Sequence, residues 1–105
     1  MADIVASLRV LADATRIRLV ALLARDELSV NEMQEITHMG QSRISTHLGL
    51  LQKHGLLSSR REGKRVFYKL LDLQKGTDKS LLDITLEGAR GLEEFESDRI
   101  NLKRI

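Results

Sequence analysis

The sequence of 105 residues contains no cysteine and no proline. Without cysteine the chain can form no disulfide, no thiolate zinc site and no cysteine nucleophile. No apolar run approaches the roughly 18 residues that a membrane-spanning helix needs. The start, Met1-Ala2-Asp3, lacks the basic residues of a secretory signal. We therefore expect a cytoplasmic protein that has no contact with a membrane.

The usual marks of catalysis are also missing. The chain has no glycine-rich phosphate loop and no histidine and carboxylate arrangement with an obvious pocket. We therefore expect neither an enzyme nor a cofactor. An apolar content of 42% rules out a disordered chain, and the length argues for a single domain over residues 1–105. A domain this small buries only about 60–65% of its unfolded surface, so a partner chain would stabilise it.

The positive charge is concentrated in one block, residues 41–70. This block holds seven basic side chains and one acidic one, whereas the rest of the chain holds ten basic and fourteen acidic residues. The basic residues are Arg43, Lys53, Arg60, Arg61, Lys64, Arg65 and Lys69. A basic block inside an acidic chain is typical of a protein that binds a polyanion. Charge alone is equally compatible with an ordinary solvated surface.

The hydrophobic spacing predicts a mainly α fold with one small β-hairpin. Ser29 and Glu32 form an S-x-x-E capping box at the start of a helix that runs to about His38. Helices are predicted over 3–12, 14–25, 29–38 and 41–53, strands over 56–62 and 64–70, and further helix over 77–104. Gly88 and Gly91 leave that last region open as one long helix with close contacts at the glycines, or as two shorter ones.

The order helix, tight turn, helix over residues 29–53 is that of a helix-turn-helix, whose second helix enters the DNA major groove. Ile44, Leu48 and Leu51 define the buried side of the second helix. The opposite side carries Ser42, Thr46, Gly49 and Lys53, flanked by Arg43 and Ser45, with Gln41 at the helix start. These small polar side chains would let the helix sit deep in the groove. The alternative is an ordinary solvent-facing helix, although such helices usually carry acidic residues and this one has none.

The predicted hairpin adds a second basic element. Arg60, Arg61, Lys64 and Arg65 cluster around a predicted turn at Glu62-Gly63. A two-stranded ribbon with cations at its tip suits phosphates or the minor groove. We expect Arg61, Lys64 and Arg65 to contact DNA, with Lys64 and Arg65 as the preferred phosphate contacts. The alternative is an edge hairpin that its charges protect from aggregation.

Three segments resemble the ArsR/SmtB winged helix-turn-helix repressors: LADATRIRLVALL (11–23), QSRISTHLGLLQKHGLL (41–57) and REGKRVFYKL (61–70). The resemblance implies a homodimer that binds a palindromic DNA operator and blocks transcription. It implies operator contacts from Gln41, Ser42, Arg43, Ser45, Thr46 and His47, although the helical spacing places His47 nearer the buried side. We expect the first and last helices to form the dimer interface through Leu81, Leu82, Ala89, Leu92 and Phe95.

The sequence departs from the metal-sensing members of this family. Ser29 and Asn31 stand where those members have cysteine thiolates, so we expect no soft-metal site there. Asp83 and Glu87 could share an ion, but a solvated acidic face explains them better. The sequence leaves three alternatives open for regulation: an unknown small-molecule effector, an unknown protein effector, or no effector, with control through the expression level. The alternative function is a regulatory or protein-interaction winged-helix domain of a larger protein, such as a methyltransferase fusion.

Overall fold

The computed structural model describes residues 3–105. Six helices and three strands follow one another along this part of the chain: α1 Ile4–Leu11, α2 Ala14–Leu23, β1 Leu28–Ser29, α3 Val30–Thr37, α4 Gln41–Lys53, β2 Leu57–Glu62, β3 Arg65–Leu70, α5 Thr77–Ala89 and α6 Phe95–Lys103. The prediction of a mainly α fold with a small β-hairpin is confirmed.

The helix starts follow from side-chain caps in the sequence. Asp13 accepts a hydrogen bond from the backbone N–H of Arg16 at 3.0 Å and so begins α2. Ser29 and Glu32 form the predicted capping box, because each side chain accepts from the other residue's backbone N–H, at 3.2 and 2.9 Å. These caps satisfy backbone donors that the first helical turn would otherwise leave without partners.

The hairpin is part of a three-stranded antiparallel sheet in the order β1-β3-β2. The sequence did not predict β1, which has only two residues and pairs Leu28 with Tyr68. The turn also lies one residue later than predicted, because Glu62 pairs with Arg65 and the loop is Gly63-Lys64. Gly63 has a positive φ of 63° at the first loop position, as a type II′ hairpin turn requires. The later turn places Lys64 at the hairpin tip.

The C-terminal region forms two helices rather than one. Helix α5 ends at Ala89, and tight turns over residues 90–94 lead into α6. No heavy atom lies within 4 Å of a Cβ built on Gly88, so no close approach requires glycine there. The low helix propensity of Gly88 and Gly91 therefore explains the break better than tight packing does.

The hydrophobic core lies between α2, α3, α4 and the sheet, and its fully buried members include Leu19, Met33, Ile36 and Leu56. Helix α6 packs onto this core through a buried ion pair. Arg18 of α2 donates to both carboxylate oxygens of Asp98, at 2.8 and 2.9 Å. None of the helices within residues 3–105 is long and apolar enough to cross a membrane.

Candidate nucleic-acid interface

One side of α4 is buried and the other is open. Ile44, Leu48 and Leu51 are 0% exposed, which confirms the predicted buried side. The predicted opposite side is exposed, and it comprises Gln41, Ser42, Arg43, Ser45, Thr46, Gly49 and Lys53. The side chains that the sequence analysis assigned to DNA, apart from His47, therefore all lie at the surface of the chain.

Local hydrogen bonds fix both ends of α4. At its start, Thr37 Oγ1 donates to the Met33 carbonyl at 2.7 Å and accepts from the Met39 N–H at 3.2 Å, which fixes the turn between α3 and α4. At its end, Gly55 has φ 89°, and the Leu56 N–H donates to the Leu51 carbonyl at 3.1 Å. This Schellman arrangement stops the helix where the sequence predicted. The exposed side of α4 is thus presented by a rigid frame.

Arg43 is exposed but already has a partner. Its Nη2 donates to Thr15 Oγ1 of α2 at 2.6 Å. Thr15 is buried, so the contact ties the first turn of α4 to the first turn of α2. This hydrogen bond uses one of the five N–H donors of the guanidinium, so the other four remain for an external acceptor.

His47 is half-buried, as the helical spacing predicted, and it faces α2. Its Nδ1 lies 3.0 Å from Arg16 Nη1. Arg16 was not singled out from the sequence, because no local pattern links residues that lie 31 positions apart. Asp13 lies in the same region, and its pKa is lowered chiefly by the hydrogen bond from the Arg16 backbone N–H.

The cations of the β2–β3 hairpin, the wing, fall into two groups. Arg60 is neutralised, because it pairs with Glu27 at 2.7 Å and with Glu62 at 2.5 Å. Its guanidinium also lies 4.8 Å above the centre of the Phe67 ring. The other four, Arg61, Lys64, Arg65 and Lys69, are exposed, and no ion pair engages them within residues 3–105. Arg61, Lys64 and Arg65 lie toward the hairpin tip, whereas Lys69 lies near the base, opposite Ser58. The charges of all four are therefore available to an external anion.

A polar groove of about 300 Å³ connects α4 with the wing. Gln41 contributes from the start of α4, Lys64 and Arg65 from the wing, and Asn31 from the first turn of α3. In the sequence, Asn31 stands out only as a replacement for a metal ligand. Its exposure beside three predicted DNA contacts makes it a further candidate for the same surface.

The predicted dimer residues are not all at the surface. Leu82 is 5% exposed and Ala89 is 1% exposed, so within one chain both are already covered. Leu81, Leu92 and Phe95 are half-buried. The large exposed apolar side chains of the first and last helices are instead Ile4, Val5 and Leu8 of α1, Ile84 of α5 and Ile100 of α6.

Two exposed acidic residues of the last helices, Asp83 and Glu96, form ion pairs with neighbouring cations. Asp83, one of the two carboxylates considered for an ion, holds the Lys79 ammonium at 2.5 and 2.6 Å. In α6, Glu96 pairs with Arg99, and this hydrogen bond is the main reason that the pKa of Glu96 is lowered. Within residues 3–105 no three histidine or carboxylate side chains are grouped as metal ligands.

A profile of bacterial regulatory proteins of the arsR family matches residues 13–59. The chain is 36% identical over 69 residues to the transcriptional activator HlyU of Vibrio cholerae, covering 66% of this chain and 64% of that protein. It is 44% identical over 61 residues to an arsenic resistance transcriptional regulator of Pseudomonas putida, covering 57% and 48%. The chain thus spans about half to two thirds of the length of these curated relatives.

The solved structure of reduced HlyU from Vibrio cholerae matches with a TM-score of 0.64 and 31% identity, over 76% of this chain and 81% of that one. Together with the exposed helix α4 and the wing, this likeness defines the fold as a winged helix-turn-helix. The chain belongs to the ArsR family of bacterial regulatory proteins, so the predicted resemblance is confirmed.

Proposed function

We propose that the chain is a sequence-specific DNA-binding transcriptional regulator, acting as a repressor on a palindromic operator. The observation that carries the proposal is one exposed surface that combines the acid-free side of α4 with the three unpaired cations toward the wing tip. Small polar side chains on α4 permit close approach to base edges. Arg61, Lys64 and Arg65 then bind the flanking phosphates.

A dimer supplies the two-fold symmetry that a palindrome requires. Two recognition helices must lie about 34 Å apart to enter successive major grooves. One subunit measures 34 × 32 × 23 Å, so two subunits side by side can reach this spacing. The exposed side chains of α1, Ile4, Val5 and Leu8, supply apolar surface for the contact. The dimer contact also includes the exposed parts of three half-buried side chains, Leu81, Leu92 and Phe95.

The test begins with selection of bound sequences from random double-stranded DNA by the purified protein. Affinity for the selected sequence is then measured by fluorescence anisotropy, and the mass of the complex by sedimentation. We expect two chains per site and a steep loss of affinity as salt rises, because phosphate contacts release counterions. A module that binds only protein would show no preference among DNA sequences at any salt concentration.

A pair of matched variants tests whether the exposed side of α4 is the DNA-binding surface. Ser45→Glu places a carboxylate on the exposed side of α4, whereas Ser97→Glu places one on the exposed side of α6. We expect Ser45→Glu to abolish operator binding, since a buried like-charge contact with phosphate is unfavourable, while Ser97→Glu retains it. Equal binding by both variants would contradict the assignment of α4 as the reading element.

A further inference from the structure

Arg16 is held in place by the end of α1. Its Nε donates to the Val10 carbonyl at 2.5 Å, and its Nη2 donates to the Arg9 carbonyl at 3.2 Å. Both acceptors belong to the last turn of α1, whose carbonyls have no partners within the helix. The third guanidinium nitrogen, Nη1, lies 3.0 Å from His47 Nδ1. A fixed cation of α2 therefore meets the imidazole of the recognition helix α4.

The chemistry of this contact determines where the imidazole carries its proton. A guanidinium has only donors, so His47 Nδ1 must be the acceptor and must be unprotonated. A neutral imidazole then carries its hydrogen on Nε2. We propose that Arg16 is a positioning residue that holds His47 in the Nε2–H tautomer and so presents a hydrogen-bond donor to DNA.

The surroundings of His47 support a role at the interface. The two ring nitrogens point in divergent directions, so the Nε2–H points away from Arg16. Nothing within residues 3–105 accepts a hydrogen bond from it, and the ring is only half-buried. Arg43 precedes His47 by one helical turn, and its side chain also forms a hydrogen bond with α2. The inference rests on the proposed function, because the acceptor would be a phosphate or a base edge.

The first test needs no substitution and no DNA. Long-range ¹H–¹⁵N correlation spectra of the whole protein distinguish the two tautomers of each histidine. We expect His47 to be an Nε2–H imidazole at neutral pH. An Nδ1–H form, or an even mixture of the two forms, would overturn the proposal. In Arg16→Met we expect the two forms of His47 to mix, whereas the spectrum of His54, which bonds to Ser7 at 2.8 Å, stays unchanged.

The second test is a double-mutant cycle on affinity for the selected operator. We expect His47→Ala to weaken binding about a hundredfold, because each of the two subunits loses one hydrogen bond to a charged group and one such bond typically contributes about tenfold. Arg16→Met should weaken binding less, and it should have no further effect when His47 is already alanine. A further loss in that background would mean that Arg16 contacts DNA itself, which overturns the positioning role.

Two control variants distinguish a failure of the positioning role of Arg16 from a failure of the proposed DNA-binding function. Arg16→Lys keeps the charge, but a lysine cannot bond to the α1 carbonyls and to His47 together. We therefore expect Arg16→Lys to weaken operator binding as much as Arg16→Met does. If Arg16→Met does not fold, Arg16→Lys takes its place in the double-mutant cycle. Wild-type affinity in Arg16→Lys would overturn the proposal. Ser45→Glu reports on the function itself: if it abolishes binding and His47→Ala does not weaken it, the inference fails while the proposed function stands.

Discussion

The unpaired wing cations lead to a quantitative prediction about salt. Lys64→Ala combined with Arg65→Ala removes two free cations from each subunit, and thus four from a dimer. Each phosphate contact contributes about 0.9 to the slope of log affinity against log salt. We expect the slope to become shallower by about 3 to 4. Between 50 and 200 mM salt the double variant should therefore lose about two decades less affinity than the unsubstituted protein.

Fluorescence anisotropy across a salt series measures this slope directly. The matched control is Lys103→Ala with Arg104→Ala, which changes the net charge equally at the exposed end of α6. We expect the control to keep the original slope. If both double variants flatten the slope equally, the effect is one of net charge and the wing does not contact phosphate. An unchanged slope in the wing variant would refute the reasoning as well.

Three further outcomes are expected. Asp98→Ala leaves the half-buried guanidinium of Arg18 without its carboxylate partner, although the Thr37 carbonyl stays within 3.4 Å. The free energy of unfolding, measured with urea, should fall by about 3 kcal/mol, the lower end of the range for a broken buried pair; a loss near zero would contradict this. The pKa of Asp13 is lowered in the folded state, so its stabilisation is full above the usual value of 3.8 and is lost as pH falls further. Asp13→Asn, which keeps the cap, should lack that pH dependence in thermal melts. Leu8→Lys should give monomers in sedimentation, whereas Ile105→Lys, equally exposed, should not.

Local signals in the sequence predicted the helix-turn-helix well. The spacing of Ile44, Leu48 and Leu51 fixes which side of α4 is buried, because residues three and four apart share one side of a helix. Ser29 predicts its capping box for the same local reason. The two-residue strand β1 gives no such signal, since a period-2 pattern needs more residues than Leu28 and Ser29 supply.

Long-range contacts were beyond prediction from one sequence. Arg18 and Asp98 are 80 positions apart, and neither residue type at those positions indicates the other. The apolar spacing of the C-terminal region identified Leu82 and Ala89 as belonging to a buried surface. It could not tell whether the chain's own helices or a second subunit would cover them, because both kinds of partner remove the same apolar area from water.

The sheet order β1-β3-β2 leaves the two halves of the wing with different support. Near α2 and α3, the strand β1 pairs with Phe67 and Tyr68, and Arg60 bridges to Glu27. Beyond that point only the β2–β3 pairing continues, from Arg61 opposite Val66 to the Gly63-Lys64 loop. Since only its inner half is braced, we expect the ribbon to bend at its outer half. In the proposed complex with DNA the charged tip would then adapt to grooves of different width, while the base keeps its distance from α4.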